Sequence, residues 1–192
     1  MKQTIFYLGI ALFSMCMLCP AKGKADAVLG VSGPANVSVG DSFTIDIGVS
    51  QAADLYGFQF DLGFDPTILQ ATRFAEGTFL TSQGSTFFFN NGIDNVAGTV
   101  AFNADTLIGV SSGASGDGLL MTFDFASIAA GTSGLTISNV VLSDSNGNSL
   151  PFAVQNNSVD VNEVAVSTPE PSTFSMMLGA LVFLGLAAVR KR

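Results

Sequence analysis

The 192-residue chain predicts an all-β domain, a sandwich of two sheets. Three observations carry that prediction. Apolar and polar residues alternate with period two in one segment after another, as strands with a single buried face require. Clusters of Gly, Asn, Asp, Ser and Pro punctuate the alternation at short intervals, as turns between strands do. Between residues 28 and 168 no segment repeats its apolar residues at helical spacing.

The strands follow in order. Phe43, Ile45, Ile47 and Val49 point one way while Thr44, Asp46 and Gly48 point the other. Phe58, Phe60, Leu62 and Phe64 repeat the pattern against Gln59, Asp61 and Gly63. Runs at 97–103, 119–126, 135–142 and 158–162 are similar but less regular. Between them lie Gly40-Asp41, Asp65-Pro66, Asn90-Asn91-Gly92, Ser111–Gly118, Gly131–Gly134 and Asn146-Gly147-Asn148. About eight or nine strands so spaced suit a two-sheet sandwich with the Phe and Ile/Val faces meeting inside. Burying about a dozen large apolar side chains, at roughly 1.5–3 kcal/mol each, is enough to hold it together.

Both ends stand apart from this domain. Residues 1–27 read as a signal peptide: Lys2 supplies the positive start, Ile5–Leu18 is an uncharged apolar run, and Pro20 breaks it. Ala25 and Ala27 are the small residues a signal peptidase reads, with cleavage expected after Ala27. Cys16 and Cys19 both fall inside this segment, so the mature chain has no cysteine and relies on its core. At the other end a linker, 163–173, contains Pro169-Glu170-Pro171. Phe174–Val189 then predicts a short transmembrane helix, about 24 Å long, and Arg190-Lys191-Arg192 is a basic tail held on the cytoplasmic side. This three-part tail resembles the PEP-CTERM sorting signal of Gram-negative bacteria. The resemblance implies export across the inner membrane, handling by an exosortase, and delivery to the cell surface or extracellular matrix.

Composition excludes several activities. The chain has no His and no Trp, so Ser-His-Asp triads, Cys-His dyads and histidine-ligated zinc are out of reach within the chain. Of the 15 acidic residues only Asp26 and Glu170 lie outside 28–168, where the one cation is Arg73, so the mature domain carries a charge near −12. Such a domain repels nucleic acid. It can attract divalent cations or a basic partner.

Individual motifs point mainly to structure. In Phe64-Asp65-Pro66 the Asp caps a turn and Pro fixes φ. Asp144, Asn146 and Asn148 offer oxygens at alternate positions and form the one calcium candidate, although Gly147 falls at the fourth position and no Glu closes the loop. Asn146-Gly147 is foremost a hairpin turn. No residue is assigned a catalytic role. Phe87-Phe88-Phe89 cannot place all three rings inside, because Phe88 faces opposite to its neighbours in a strand. An outward Phe would offer a partner an apolar contact.

The ordered set of motifs across residues 28–162 resembles the cohesin domain of bacterial surface assemblies. It consists of Val39-Gly40-Asp41-Ser42-Phe43-Thr44, Tyr56–Leu62 leading into Phe64-Asp65-Pro66-Thr67-Ile68-Leu69, Gly116-Asp117-Gly118-Leu119-Leu120, Leu142–Gly147 and Ser158-Val159-Asp160-Val161. The resemblance implies a nine-stranded jelly-roll sandwich related to some carbohydrate-binding modules. It also implies a non-catalytic module that binds a dockerin-like or other surface protein through one sheet face. The outward positions implied are Gln59, Asp61, Phe88, Ala101 and Asn103. The chain differs from the family's best-known pattern in presenting Gly57 and Gln59 on that face. The alternative is a module binding exopolysaccharide or another polysaccharide, for which Tyr56 is the one Tyr of the mature chain.

Overall fold

The computed structural model describes residues 26–164; the expected signal peptide through Ala25, and the rest of the expected linker, transmembrane helix and basic tail from residue 165, lie outside the described residues. Of the described residues, those from Asp26 to Asn162 form one compact unit. Among the described residues it is all-β with one short helix. Its strands are β1 (Ala27–Ser32), β2 (Asn36–Ser38), β3 (Ser42–Leu55), β4 (Gly57–Gly63), β5 (Leu69–Glu76), β6 (Ser85–Phe89), β7 (Ile93–Asp94), β8 (Thr99–Ile108), β9 (Ala114–Ser127), β10 (Gly131–Ser143), β11 (Phe152–Gln155) and β12 (Asn157–Asn162). Helix α1 (Thr78–Thr81) is a single turn between β5 and β6.

Two sheets face each other. Sheet 1 runs β11-β1-β3-β9-β5, and sheet 2 runs β2-β12-β10-β4-β8-β6 with β7 added to β8. Pairing is antiparallel except for β1 with β11 and β12 with β2. The described residues therefore hold twelve strands rather than nine. The difference lies largely in the short pieces β2, β7 and β11, which are too brief to show alternation and gain their stability from neighbours.

Where alternation is strict the predicted inward set is the core. Ile45, Ile47 and Val49 of β3 are buried with Phe58, Phe60 and Leu62 of β4. Rings cross between the sheets: Phe60 meets Phe123 edge-on with centroids 6.3 Å apart, and Phe64 meets Phe125 at 5.1 Å. Such pairs add about 0.5–1.5 kcal/mol beyond the area they bury. Ala27, the expected last residue of the signal, opens β1, is buried, and donates its N–H to Pro151 O at 3.1 Å. Cleavage after Ala27 thus leaves β1 one residue shorter.

Two β-bulges shape sheet 2. In β8, Ala101 and Phe102 together oppose the single residue Asp61 of β4, and Phe102 takes φ +53°. In β10, Asn139 and Val140 interrupt the pairing with β4, and Asn139 takes φ +51°. Asn enters this left-handed region at small cost, Phe does not. The Asp61 carboxylate holds both: Oδ1 accepts the Phe102 backbone N–H at 2.6 Å, and Oδ2 accepts Asn139 Nδ2 at 2.5 Å.

Replacing Asp61 with Ala removes the acceptor from both bulges. Urea unfolding of Asp61→Ala is expected to show a loss of about 1.5–3 kcal/mol, the usual worth of hydrogen bonds to a charged group. An unchanged midpoint would mean that the bulges hold without the carboxylate.

Candidate functional site

The outer face of sheet 2 carries a groove of about 540 Å³. Register builds it, because residues directly opposite in adjacent strands lie on the same face. One row crosses four strands as Val141, Gln59, Ala104 and Phe89, and the next as Ser143, Gly57, Thr106 and Phe87. Phe102, turned outward by its bulge, closes the groove by meeting Phe89 edge-on at 5.6 Å. Phe87 is 61% exposed, Phe89 45%, Phe102 40% and Val141 50%. Gly57 keeps the floor open: a Cβ there would come within 3.2 Å of both the Ser143 and the Thr106 hydroxyls.

The five residues expected on this face divide. Gln59 is half-buried and lines the groove. Asp61 is half-buried and bound to the bulges on either side. Ala101 is half-buried in the β8 bulge beside Phe102.

Phe88 and Asn103 do not face outward, which corrects the expectation for both. The bulge inserts one residue into β8, so Phe102, Ala104 and Thr106 turn outward while Asn103, Asp105 and Leu107 turn inward. Asn103 is fully buried, donates Nδ2 to Val100 O at 2.7 Å and to Phe60 O at 3.1 Å, and accepts a hydrogen bond from Asn90 Nδ2. Phe88 pairs with inward Asp105, so its ring packs on the core and against Phe74 at 6.1 Å. The groove residues missed from the sequence are therefore Phe87, Phe89, Phe102, Ala104, Thr106 and Val141. The first two follow from the Phe triplet once Phe88 is placed inward; nothing local announces the bulge.

The remaining candidates are turns. Asp144 accepts hydrogen bonds from Asn148 N at 2.8 Å, Asn146 N at 2.9 Å and Asn148 Nδ2 at 3.0 Å. The Asn148 side chain and then its backbone N–H hold this carboxyl below its ordinary value. Asp144 thus binds donors within its own turn, and Asn148 presents its amide N–H, so the carboxylate is engaged as a turn cap. Among the described residues no group of three or more His, Cys, Asp or Glu is placed to hold a metal. Asp65 is likewise lowered by the Thr67 hydroxyl and backbone N–H, both of which it accepts.

Comparison with known proteins agrees with the geometry. Residues 29–162 match the cohesin domain and residues 167–192 match the PEP-CTERM protein-sorting motif. A search of curated protein sequences finds no match. Among solved structures, a non-cellulosomal cohesin from the archaeon Archaeoglobus fulgidus is similar at 20% identity over 76% of this chain and 95% of that one, with a TM-score of 0.59. The sixth cohesin of Acetivibrio cellulolyticus scaffoldin B, solved in complex with a Cel5 dockerin, is similar at 18% identity over 72% and 100%, with a TM-score of 0.60. CaCohA2 from Clostridium acetobutylicum aligns at 20% identity over 73% and 96%, TM-score 0.58. At these identities the structures speak for the fold, and the family match speaks for the sequence: the chain belongs to the cohesin domain family and ends in a PEP-CTERM sorting motif.

Proposed function

We propose that this protein is an exported, non-catalytic adhesion module that binds another protein, dockerin-like or otherwise, through the outer face of sheet 2. One observation carries the reading: four large apolar side chains, Phe87, Phe89, Phe102 and Val141, stand exposed around one groove. Exposed apolar clusters of this kind mark contact surfaces. Of the groove's lining residues only Asp105 is ionisable, and it is buried. A partner therefore engages the groove with apolar side chains, and the charge near −12 around it favours basic flanks and accelerates their approach.

The sorting motif supports the rest of the reading. The PEP-CTERM match supports export across the inner membrane, recognition by an exosortase and display at the cell surface or in the matrix. A polysaccharide ligand has less support, since the Tyr56 hydroxyl donates to Val110 O at 3.1 Å and the groove rings are Phe. Stacking on sugars relies mainly on Trp and Tyr.

Affinity capture with immobilised residues 26–168, run on the organism's surface and secreted fractions, tests the docking face. A single retained protein is expected to bind Phe87→Ala and Phe102→Ala domains roughly thirtyfold more weakly, a loss of about 2 kcal/mol each. Their unfolding midpoints should stay close to that of the parent. Equal retention by both variants, or retention of polysaccharide alone, contradicts the reading. For the tail, Glu170→Ala within Pro169-Glu170-Pro171 is expected to leave unprocessed protein in the inner-membrane fraction, as seen by its mass on an immunoblot.

A further inference from the structure

Beneath the docking face two carboxyl groups meet. Asp105 turns inward because of the β8 bulge and is 3% exposed, and its Oδ1 is buried without a hydrogen-bond partner. Glu76, the last residue of β5, faces it from sheet 1. Glu76 Oε1 also accepts the Thr86 hydroxyl of β6 at 2.5 Å. The pair thus joins three strands from both sheets, directly behind Phe87 and Phe89.

Other charged groups near these strands are engaged elsewhere. Asp61 of β4 binds the bulges, and Asp94 of β7 accepts the Val96 and Ala97 N–H groups. On β9, Asp117 accepts the Gln51 N–H and Asp124 accepts the Thr44 hydroxyl. Arg73 of β5 is exposed, while α1 and β6 contain no charged residue. Glu76 is therefore the charge that faces Asp105.

Two carboxylates this close cannot both ionise in an apolar setting. One proton held between the two carboxyls relieves that repulsion. Burial first, then the Glu76 charge and its hydrogen bond, raise Asp105 from 3.8 to about 7.

We propose that Asp105 and Glu76 form a proton-operated clasp that fixes edge strand β6 and thereby regulates the Phe87 and Phe89 side of the docking face. The regulatory role rests on the docking reading; the clasp is read on the free domain and stands or falls by itself. Because the folded group holds its proton to higher pH than the unfolded one, the native state binds more protons between pH 3.8 and about 7. Stability is therefore greatest at the low end of that window and falls as pH rises through about 7. Strand β6 pairs only with β8, so it loosens when the clasp opens.

The test is an NMR pH titration of residues 26–168, following the Asp105 carboxyl carbon and the exchange protection of the β6 amides. The Asp105 resonance is expected to titrate near pH 7, with β6 protection falling about tenfold or more from pH 6 to pH 8. In Asp105→Asn that fall should vanish, and Glu76→Gln should move the Asp105 midpoint downward. Titration of Asp105 in the ordinary carboxylate range, or β6 protection that does not follow it, overturns the clasp.

Discussion

The Asp61 carboxylate accepts one hydrogen bond from the Phe102 backbone and another from the Asn139 side chain, and so holds a bulge on each side of β4. Much of sheet 2 depends on the first of these. One extra residue in β8 reverses the parity of everything after it, because side chains alternate strictly along a strand. Phe102, Ala104 and Thr106 reach the outer surface, and Asn103 and Asp105 enter the interior. The apolar groove and the buried Asp105 are two consequences of one inserted residue. Phe102 sits at φ +53°, an uncommon conformation for a bulky side chain, and the carboxylate is what compensates for it.

The same parity explains what could be seen in the sequence. Strands β3 and β4 alternate strictly through their central residues, and their inward residues were legible without the structure. Asp65-Pro66 and Asn146-Gly147 were legible as turns because the side chains that make them are local. The segments 111–118 and 131–134 looked like loops, yet much of each lies in β9 and β10. Their glycines permit conformations such as φ +105° at Gly116, so composition there marks a distorted strand rather than its absence. Asn103 turns inward after a bulge pinned by a residue on another strand, and Phe88 follows the inward Asp105 it pairs with, so neither orientation has a local mark. The sheet face that carries the groove was legible; the residues on it were legible only up to the bulge.

Stability and function draw on separate parts of the chain. Residues 28–168 lack cysteine, so the domain is held by its core, including ring contacts such as Phe60–Phe123 and Phe64–Phe125 between the sheets. Thirteen carboxylates stay mostly at the surface, many capping turns or bulges. The outer face of sheet 2 departs from that plan. Large rings stand exposed there and an acid is buried behind them. Both features centre on strands β6 and β8.

Hydrogen-exchange mapping of the domain with and without its captured protein partner tests the docking face most directly. Binding is expected to protect β6, β8 and the adjoining part of β4 around Phe87, Phe102 and Gln59, leaving β11, β1 and β3 unchanged. Protection confined to the outer face of sheet 1, with β6 and β8 exchanging as in the free domain, would contradict the account.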